Sequence, residues 1–191
     1  LRVPNRKNPS SLAPRTPQPK TFELFAEAVR WNVIMGLHNV GAVNRACLNG
    51  QASELIQVSE ALQEKKIVKI AEEIDRRYRD PEHPVRIVLI TGPSSSGKTT
   101  FCNRLSIQLK ACGIRPISFS TDDYFVNRVD TPKFPDGRYD FENIKAVDNL
   151  TMERDLKALL EGKKVEIPEY NFTTGKREYN GKRLQLGEGK I

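Results

Sequence analysis

Apolar residues recur along this chain with two different periods, and the change of period divides it. From Thr21 the spacing is helical: Phe22, Phe25, Val29 and Val33 share one face, and Gly36 offers a stop. A second short helix is predicted over about 40–48, ended by Asn49-Gly50. A long third one follows over about 52–78, with Leu55, Val58, Leu62, Ile67, Ile70 and Ile74 as its apolar positions. Glu60/Glu64 and Glu72/Arg76 are expected to add local charge interactions on it. Asp80-Pro81-Glu82-His83-Pro84 breaks that helix and marks a boundary. Residues 85–90 then form a continuous apolar-rich run of the kind found in a buried parallel strand. A helix is predicted over about 98–111, where Phe101, Leu105 and Leu109 are spaced by four and Gly113 stops it. A second strand is expected over 114–120, and a polar loop runs on to about Asn143. A helix over about 148–161 carries Leu156, Leu159 and Leu160 inward and ends at Gly162. Residues 165–167 are expected to be extended, with hairpin strands near 178–179 and 184–186.

The turn between the first strand and its helix carries the sharpest chemical signal. Residues 92–99 read Gly92, Pro93, Ser94, Ser95, Ser96, Gly97, Lys98, Thr99. This fits the phosphate-loop pattern G-x-x-x-x-G-K-[ST] at every fixed position. A chance match in a chain of this length is on the order of 1%, and the flanking strand and helix lower it further. Glycines in such a loop let backbone N–H groups approach phosphate oxygens, and the helix N-terminus adds partial positive charge. Lys98 can reach the β- and γ-phosphates, and the Thr99 hydroxyl can ligate Mg²⁺. With Thr100 these residues form the expected nucleotide site, with ATP and Mg²⁺ as cofactors. Strand and helix alternating around such a loop argue for an α/β fold with a doubly wound parallel sheet, preceded by a helical segment.

Composition narrows the class. The chain has 191 residues, 38% of them hydrophobic, and a formal charge of +7. No apolar run approaches the length of a membrane span and no signal-peptide core is visible, so the cytoplasm is the expected location and no membrane partner is expected. Cys47, Cys102 and Cys112 lack paired spacing and read as reduced thiols. His38 and His83 are too scattered for a metal site. Residues 1–20 hold Pro4, Pro9, Pro14, Pro17 and Pro19, together with Arg2, Arg6, Lys7, Arg15 and Lys20 and no acid. They read as an extended basic arm. Nucleic-acid binding is not expected there, because no aromatic residues interleave the charges. The helical segment over 21–80 is read as a subdomain packed on the core at 85–191; a partner-binding module is the alternative.

A second constellation follows the second expected strand: Ser118, Phe119, Ser120, Thr121, Asp122, Asp123, Tyr124 and Phe125. Ligands bind at the C-terminal edge of strands in open α/β sheets. A carboxylate there could take a proton from an attacking hydroxyl or hold Mg²⁺ through water. An Asp pair that merely caps a turn is the plainer alternative.

Residues 85–191 resemble the uridine kinase and phosphoribulokinase family of P-loop kinases. The matching pieces are residues 92–99, residues 120–125, Asp136-Gly137-Arg138-Tyr139-Asp140-Phe141, Ala146-Val147-Asp148, and residues 162–170 followed by Arg177. The resemblance implies Asp122 as the base toward a nucleoside hydroxyl, with Asp123 as runner-up. It places Tyr170 against the nucleobase and an acid near Glu142 at the ribose. It puts Asp123, Tyr124 and Arg177 on the substrate side as well. Upstream, residues 37–45, Glu54-Leu55-Ile56 and Glu60-Ala61-Leu62 look like the helical segment of a larger bacterial protein type, in which a TGS domain precedes the kinase-like part. A pyrimidine-reading His usual in the family is replaced by Gly175. Both ends read as cut, since the chain starts at Leu1 and stops before the next core strand and the lid expected from the resemblance. The sheet is therefore expected to be unfinished on its C-terminal side. Its open edge would favour self-association. The reading is ATP-dependent phosphoryl transfer to a nucleoside or sugar-like alcohol. The rival is a regulatory or RNA-associated nucleotide-binding module with slow or no ATP hydrolysis.

Overall fold

The computed structural model describes residues 18–187, so most of the expected basic arm lies outside the described residues. The chain forms two compact units that divide between Ala61 and Leu62. The first begins with α1 (Pro19–Ile34), which has Pro19 in its first turn, where a missing N–H costs nothing. No residue of α1 is buried. Its predicted apolar stripe stands in solvent, with Phe25 69% exposed. Helical periodicity correctly marks one face there, but it carries no information on what covers that face. α2 (Val40–Leu48) starts at Asn39, whose side chain accepts from the Ala42 N–H at 2.8 Å, and buries Ala42 and Ala46.

α3 (Ala52–Tyr78) runs from one unit into the other. In the second unit Ile67, Ala71 and Ile74 pack with Leu105 and Leu109 of α4 (Lys98–Ala111) and with Ile114. The i, i+4 pair expected between Glu72 and Arg76 is replaced. Glu73 accepts from both Arg76 and Arg77, at 2.7 and 2.6 Å. Glu64 turns away from its own helix and takes Arg104 at 2.5 Å and Gln108 Nε2 at 2.6 Å, bridging α3 to α4. Acidic residues of α3 thus pair both along their own helix and, at Glu64, across to α4.

A second core gathers Tyr124, Leu159 of α5 (Asn149–Leu160), Ile167 and Leu186. α5 begins at Asp148, whose carboxylate accepts from the Thr151 N–H at 3.1 Å and from the Thr151 hydroxyl at 2.7 Å. Two antiparallel ribbons complete this part. β1 (Lys164–Glu166) pairs with β4 (Arg183–Gln185), with Val165 opposite Leu184. β2 (Glu169–Asn171) pairs with β3 (Lys176–Glu178), with Tyr170 opposite Arg177.

The expected doubly wound parallel sheet does not form among the described residues; both sheets found are two-stranded and antiparallel. Residues 85–91 and 117–120 carry no strand ladder. The packing supplies the reason. Val88 and Ile90 lie against the α3–α4 core, whereas Ile117 and Phe119 lie against the second core. The two segments serve different clusters, and no ladder joins them among the described residues. A parallel strand is stable only with partners beside it. The consequence is visible at Leu89, which remains 87% exposed.

Burial predicts where truncation should hurt. Ile67→Ala or Leu105→Ala opens a cavity in the α3–α4 core and should cost about 2–5 kcal/mol in urea denaturation. Phe25→Ala, on the uncovered face of α1, should fall within about 0.5 kcal/mol of the parent. A large loss at Phe25 would show that α1 is packed after all.

Candidate functional site

The phosphate-loop residues form a tight turn ahead of α4. Gly92 is required by close approach: a Cβ there would meet the Ser96 hydroxyl at 2.8 Å. Gly97 caps α4 with φ +85, a left-handed conformation that glycine adopts without strain. Ser95 takes the same region at φ +58, which brings some strain into the loop. Ser94, Ser95, Ser96, Gly97, Thr99 and Thr100 are exposed, so their polar groups are open to a ligand. The Lys98 ammonium folds back and donates to the carbonyls of Gly92 and Pro93, both at 2.9 Å. A phosphate would have to offer it better acceptors than these two.

Residues 118–120 lead to the acidic turn. Ser118 Oγ lies 3.8 Å from Cys102 Sγ, early in α4, which brings this segment alongside the phosphate-loop helix. The Ser120 hydroxyl accepts from the Asp122 N–H at 3.3 Å and opens a 3-10 turn over Thr121–Tyr124. Asp122 is exposed and Asp123 half-buried. Burial pushes the Asp123 carboxyl up, against the lowering pull of Lys182 and of the Tyr170 N–H, while Glu169 and Asp122 push the same way as burial.

Tyr124, expected on the substrate side, is instead fully buried. Its hydroxyl donates to Asp155 Oδ2 at 3.1 Å, and Arg154 pairs with Asp155 Oδ1 at 2.9 Å. Burial and the neighbouring Asp155 charge hold the phenol far above its ordinary range. Tyr124 is therefore a structural pin beneath the two carboxylates. The stretch 120–125 gave no sign of it, because its partner lies 31 residues on.

Beyond the turn, aromatic rings collect. Phe125 meets Phe141 and Tyr170 at centroid distances of 5.5 Å each, and Phe172 at 6.2 Å. Tyr170 and Phe172 meet at 5.0 Å. The Tyr170 hydroxyl is buried and has no hydrogen-bond partner among the described residues, a cost that a bound polar ligand could relieve. Arg177 stands opposite Tyr170 on the hairpin and pairs with Asp148 Oδ2 at 2.9 Å. Burial works to raise the Asp148 carboxyl, but Thr151 and Arg177 outweigh it and hold it below the ordinary range. Arg177 thus reaches the site as one half of an ion pair that ties the hairpin to α5. Glu142 is exposed beside Phe141 and joins none of these bonds among the described residues. Sequence reading named Phe125 only as part of the acidic stretch and assigned no role to Phe172, Asp155 or Arg128. The i, i+2 spacing of Tyr170 and Phe172 was the one available signal.

No group of three or more acidic, His or Cys side chains suited to a metal occurs among the described residues, and no helix there is long and apolar enough to cross a membrane. Thr99 is exposed in the first turn of α4.

Comparison with known proteins gives concordant relatives. The family described as "Phosphoribulokinase / Uridine kinase family" matches residues 87–186. Uridine-cytidine kinase A of Dictyostelium discoideum is 32% identical over 91 residues, covering 48% of this chain and 17% of that protein. The uridine kinase of Borrelia turicatae is 35% identical over 95 residues, covering 49% of this chain and 43% of that protein. The chain spans less than half the length of these curated relatives. A crystal structure from Silicibacter sp. TM1040, of a proposed fructose transport system kinase, superposes with a TM-score of 0.50 at 18% identity over 65% of this chain and 60% of that one. That likeness speaks for the fold alone.

The Asp123 environment makes a signed pH prediction. A carboxyl raised in the native state binds its proton more tightly there than in the unfolded chain. Its contribution to stability is fully present below the ordinary value of 3.8 and is lost as pH rises through the raised native value. Asp123→Asn keeps an acceptor for the Tyr170 N–H and removes the charge. It should raise the melting temperature at pH 7 and leave it unchanged near pH 3. The opposite order at pH 7 would show that the charge is stabilised in place.

Proposed function

Since the chain belongs to the phosphoribulokinase / uridine kinase family, we propose that it carries the phosphate-binding and acceptor-activating parts of a site for phosphoryl transfer from ATP to a hydroxyl of a nucleoside or sugar-like alcohol. One observation carries this reading. The phosphate loop with Lys98 opens α4, and the segment ending in Asp122 and Asp123 runs alongside that same helix through the Cys102–Ser118 contact. That contact supports reading the phosphate loop and the two carboxylates as parts of one site.

The chemistry follows from the groups present. The loop N–H groups of residues 92–99 and the α4 N-terminus bind the phosphate chain, and Lys98 exchanges its two carbonyl partners for phosphate oxygens. Mg²⁺, when bound beside Thr99, neutralises part of the charge on the phosphates. Asp122, exposed at the end of its turn, accepts the proton of the acceptor hydroxyl. The hydroxyl oxygen forms a bond to the γ-phosphorus as the bond to the β,γ-bridging oxygen breaks, and ADP leaves with that electron pair. Asp123, whose raised carboxyl favours taking up a proton, is the runner-up base within the same turn, beside Tyr170. The aromatic cluster around Phe125 and Tyr170 offers the acceptor an apolar wall, and the unpartnered Tyr170 hydroxyl offers it a hydrogen bond.

Two variants separate these roles. Asp122→Asn should lower kcat by about 10²-fold or more in an ATP-consumption assay against nucleosides and sugar alcohols, with ATP affinity nearly unchanged. Lys98→Ala should instead weaken ATP binding sharply in calorimetry. A larger kcat loss for Asp123→Asn would move the base by one residue. Hydrolysis of ATP that no acceptor stimulates would favour a regulatory nucleotide-binding module.

A further inference from the structure

Gly175 lies buried in the turn of the β2–β3 hairpin with φ +69. A Cβ at this position would stand 2.8 Å from Arg128 Cβ and 3.0 Å from both its Cζ and its Nε. The left-handed backbone already disfavours a side chain, and these distances exclude one unless Arg128 moves away. Arg128 therefore fills the space that a residue at 175 would need. It is held there at both ends. Its backbone N–H donates to the Gly175 carbonyl at 2.8 Å, and its Nη2 donates to the Phe172 carbonyl. The adjoining Asn127 accepts from the Arg177 N–H at 3.1 Å.

The charge of Arg128 is uncompensated. Among the described residues Arg138 pairs with Asp136, Arg154 with Asp155 and Arg177 with Asp148. Arg128 has a neutral carbonyl as its side-chain partner and no carboxylate among the described residues. Its other N–H groups remain available at the edge of the aromatic cluster, next to Phe172. The hairpin also relates Arg128 to the acidic turn. Asp123 is bonded at the Tyr170 N–H in β2 and Arg128 at the Phe172 carbonyl, two residues on in the turn. A carboxylate and a guanidinium are thus tied to neighbouring points of the same hairpin, beside the aromatic cluster.

We propose that Arg128, seated in the space left by Gly175, is a specificity-determining residue for the acceptor and takes an oxyanion, carboxylate or phosphate, at the end remote from the reacting hydroxyl. This rests on the phosphoryl-transfer reading, which makes the Asp122–Asp123 turn the reacting end. The planar fork of a guanidinium matches both oxyanions in two parallel hydrogen bonds. A neutral sugar or nucleoside leaves that fork unpaired, so the site selects against it.

The test titrates the chain by calorimetry with ribose, ribose 5-phosphate, ribonate and inorganic phosphate, and separately with ATP. Ribose 5-phosphate or ribonate should bind about tenfold or more tighter than ribose, and tighter than inorganic phosphate. Which of the two wins identifies the oxyanion. Arg128→Gln should abolish this preference, and Arg128→Lys should keep only part of it. Gly175→Ala should act like Arg128→Gln although the arginine is still present, because the added methyl displaces it. ATP affinity should be unchanged in all three variants, which separates lost recognition from lost folding. Equal or undetectable binding of the charged and neutral probes by the parent chain overturns the proposal. So does an intact preference in Arg128→Gln. An Arg128-dependent preference in a chain that fails to bind ATP would support the Arg128 assignment and overturn the phosphoryl-transfer reading alone.

Discussion

A single buried hydrogen bond, from the Tyr124 hydroxyl to Asp155, holds the acidic turn in place. The acidic residues occupy a 3-10 turn only four residues long, which has little stability of its own. Tyr124, the last of those four, is fully buried between Phe119, Leu159 and Ile167. Its hydroxyl needs a partner in that setting, and the carboxylate of Asp155 in α5 supplies one. Asp155 is buried as well, and its carboxylate oxygens are taken by Arg154 and by the phenol. Breaking either contact would leave a buried charge or hydroxyl unpaired, which is costly. The position of Asp122 and Asp123 therefore follows from packing two residues away.

The same helix anchors the hairpin. Asp148, at the start of α5, accepts from Thr151 and from Arg177 of β3. The acidic turn, α5 and the aromatic hairpin thus behave as one block, linked by one buried hydrogen bond and one partly buried ion pair. The phosphate loop belongs to a different block, built on the α3–α4 core with its Glu64–Arg104 bridge. The phosphate loop and the two carboxylates are thus carried on separate cores. The proposed phosphoryl transfer would require them to hold register, and Cys102 and Ser118 bring one segment of each into contact.

Local signals were read well from the sequence. α2 and α3 have the predicted bounds because their ends are set by nearby residues, Asn39 at one start and Asn49-Gly50 at the intervening turn. The phosphate loop was equally legible, since glycine at 92 and 97 answers to close approach and to backbone conformation within the loop itself. Long-range features were not. The stripe on α1 has the right period and no cover. Residues 85–91 and 117–120 have strand composition and no ladder, because a strand is defined by its neighbour and not by its own side chains.

The sequence alone determined the helices, the phosphate loop and the presence of two adjacent carboxylates, each of which depends on contacts within a few residues. Tertiary structure decided which side chains face the site. It withdrew Tyr124 into the core through a partner 31 residues away, and it tied Arg177 to Asp148 across 29. It also laid Arg128 over Gly175, where the absence of a side chain in one segment makes room for a charge from another. Such pairings depend on how distant segments pack, and no local pattern of residues encodes them.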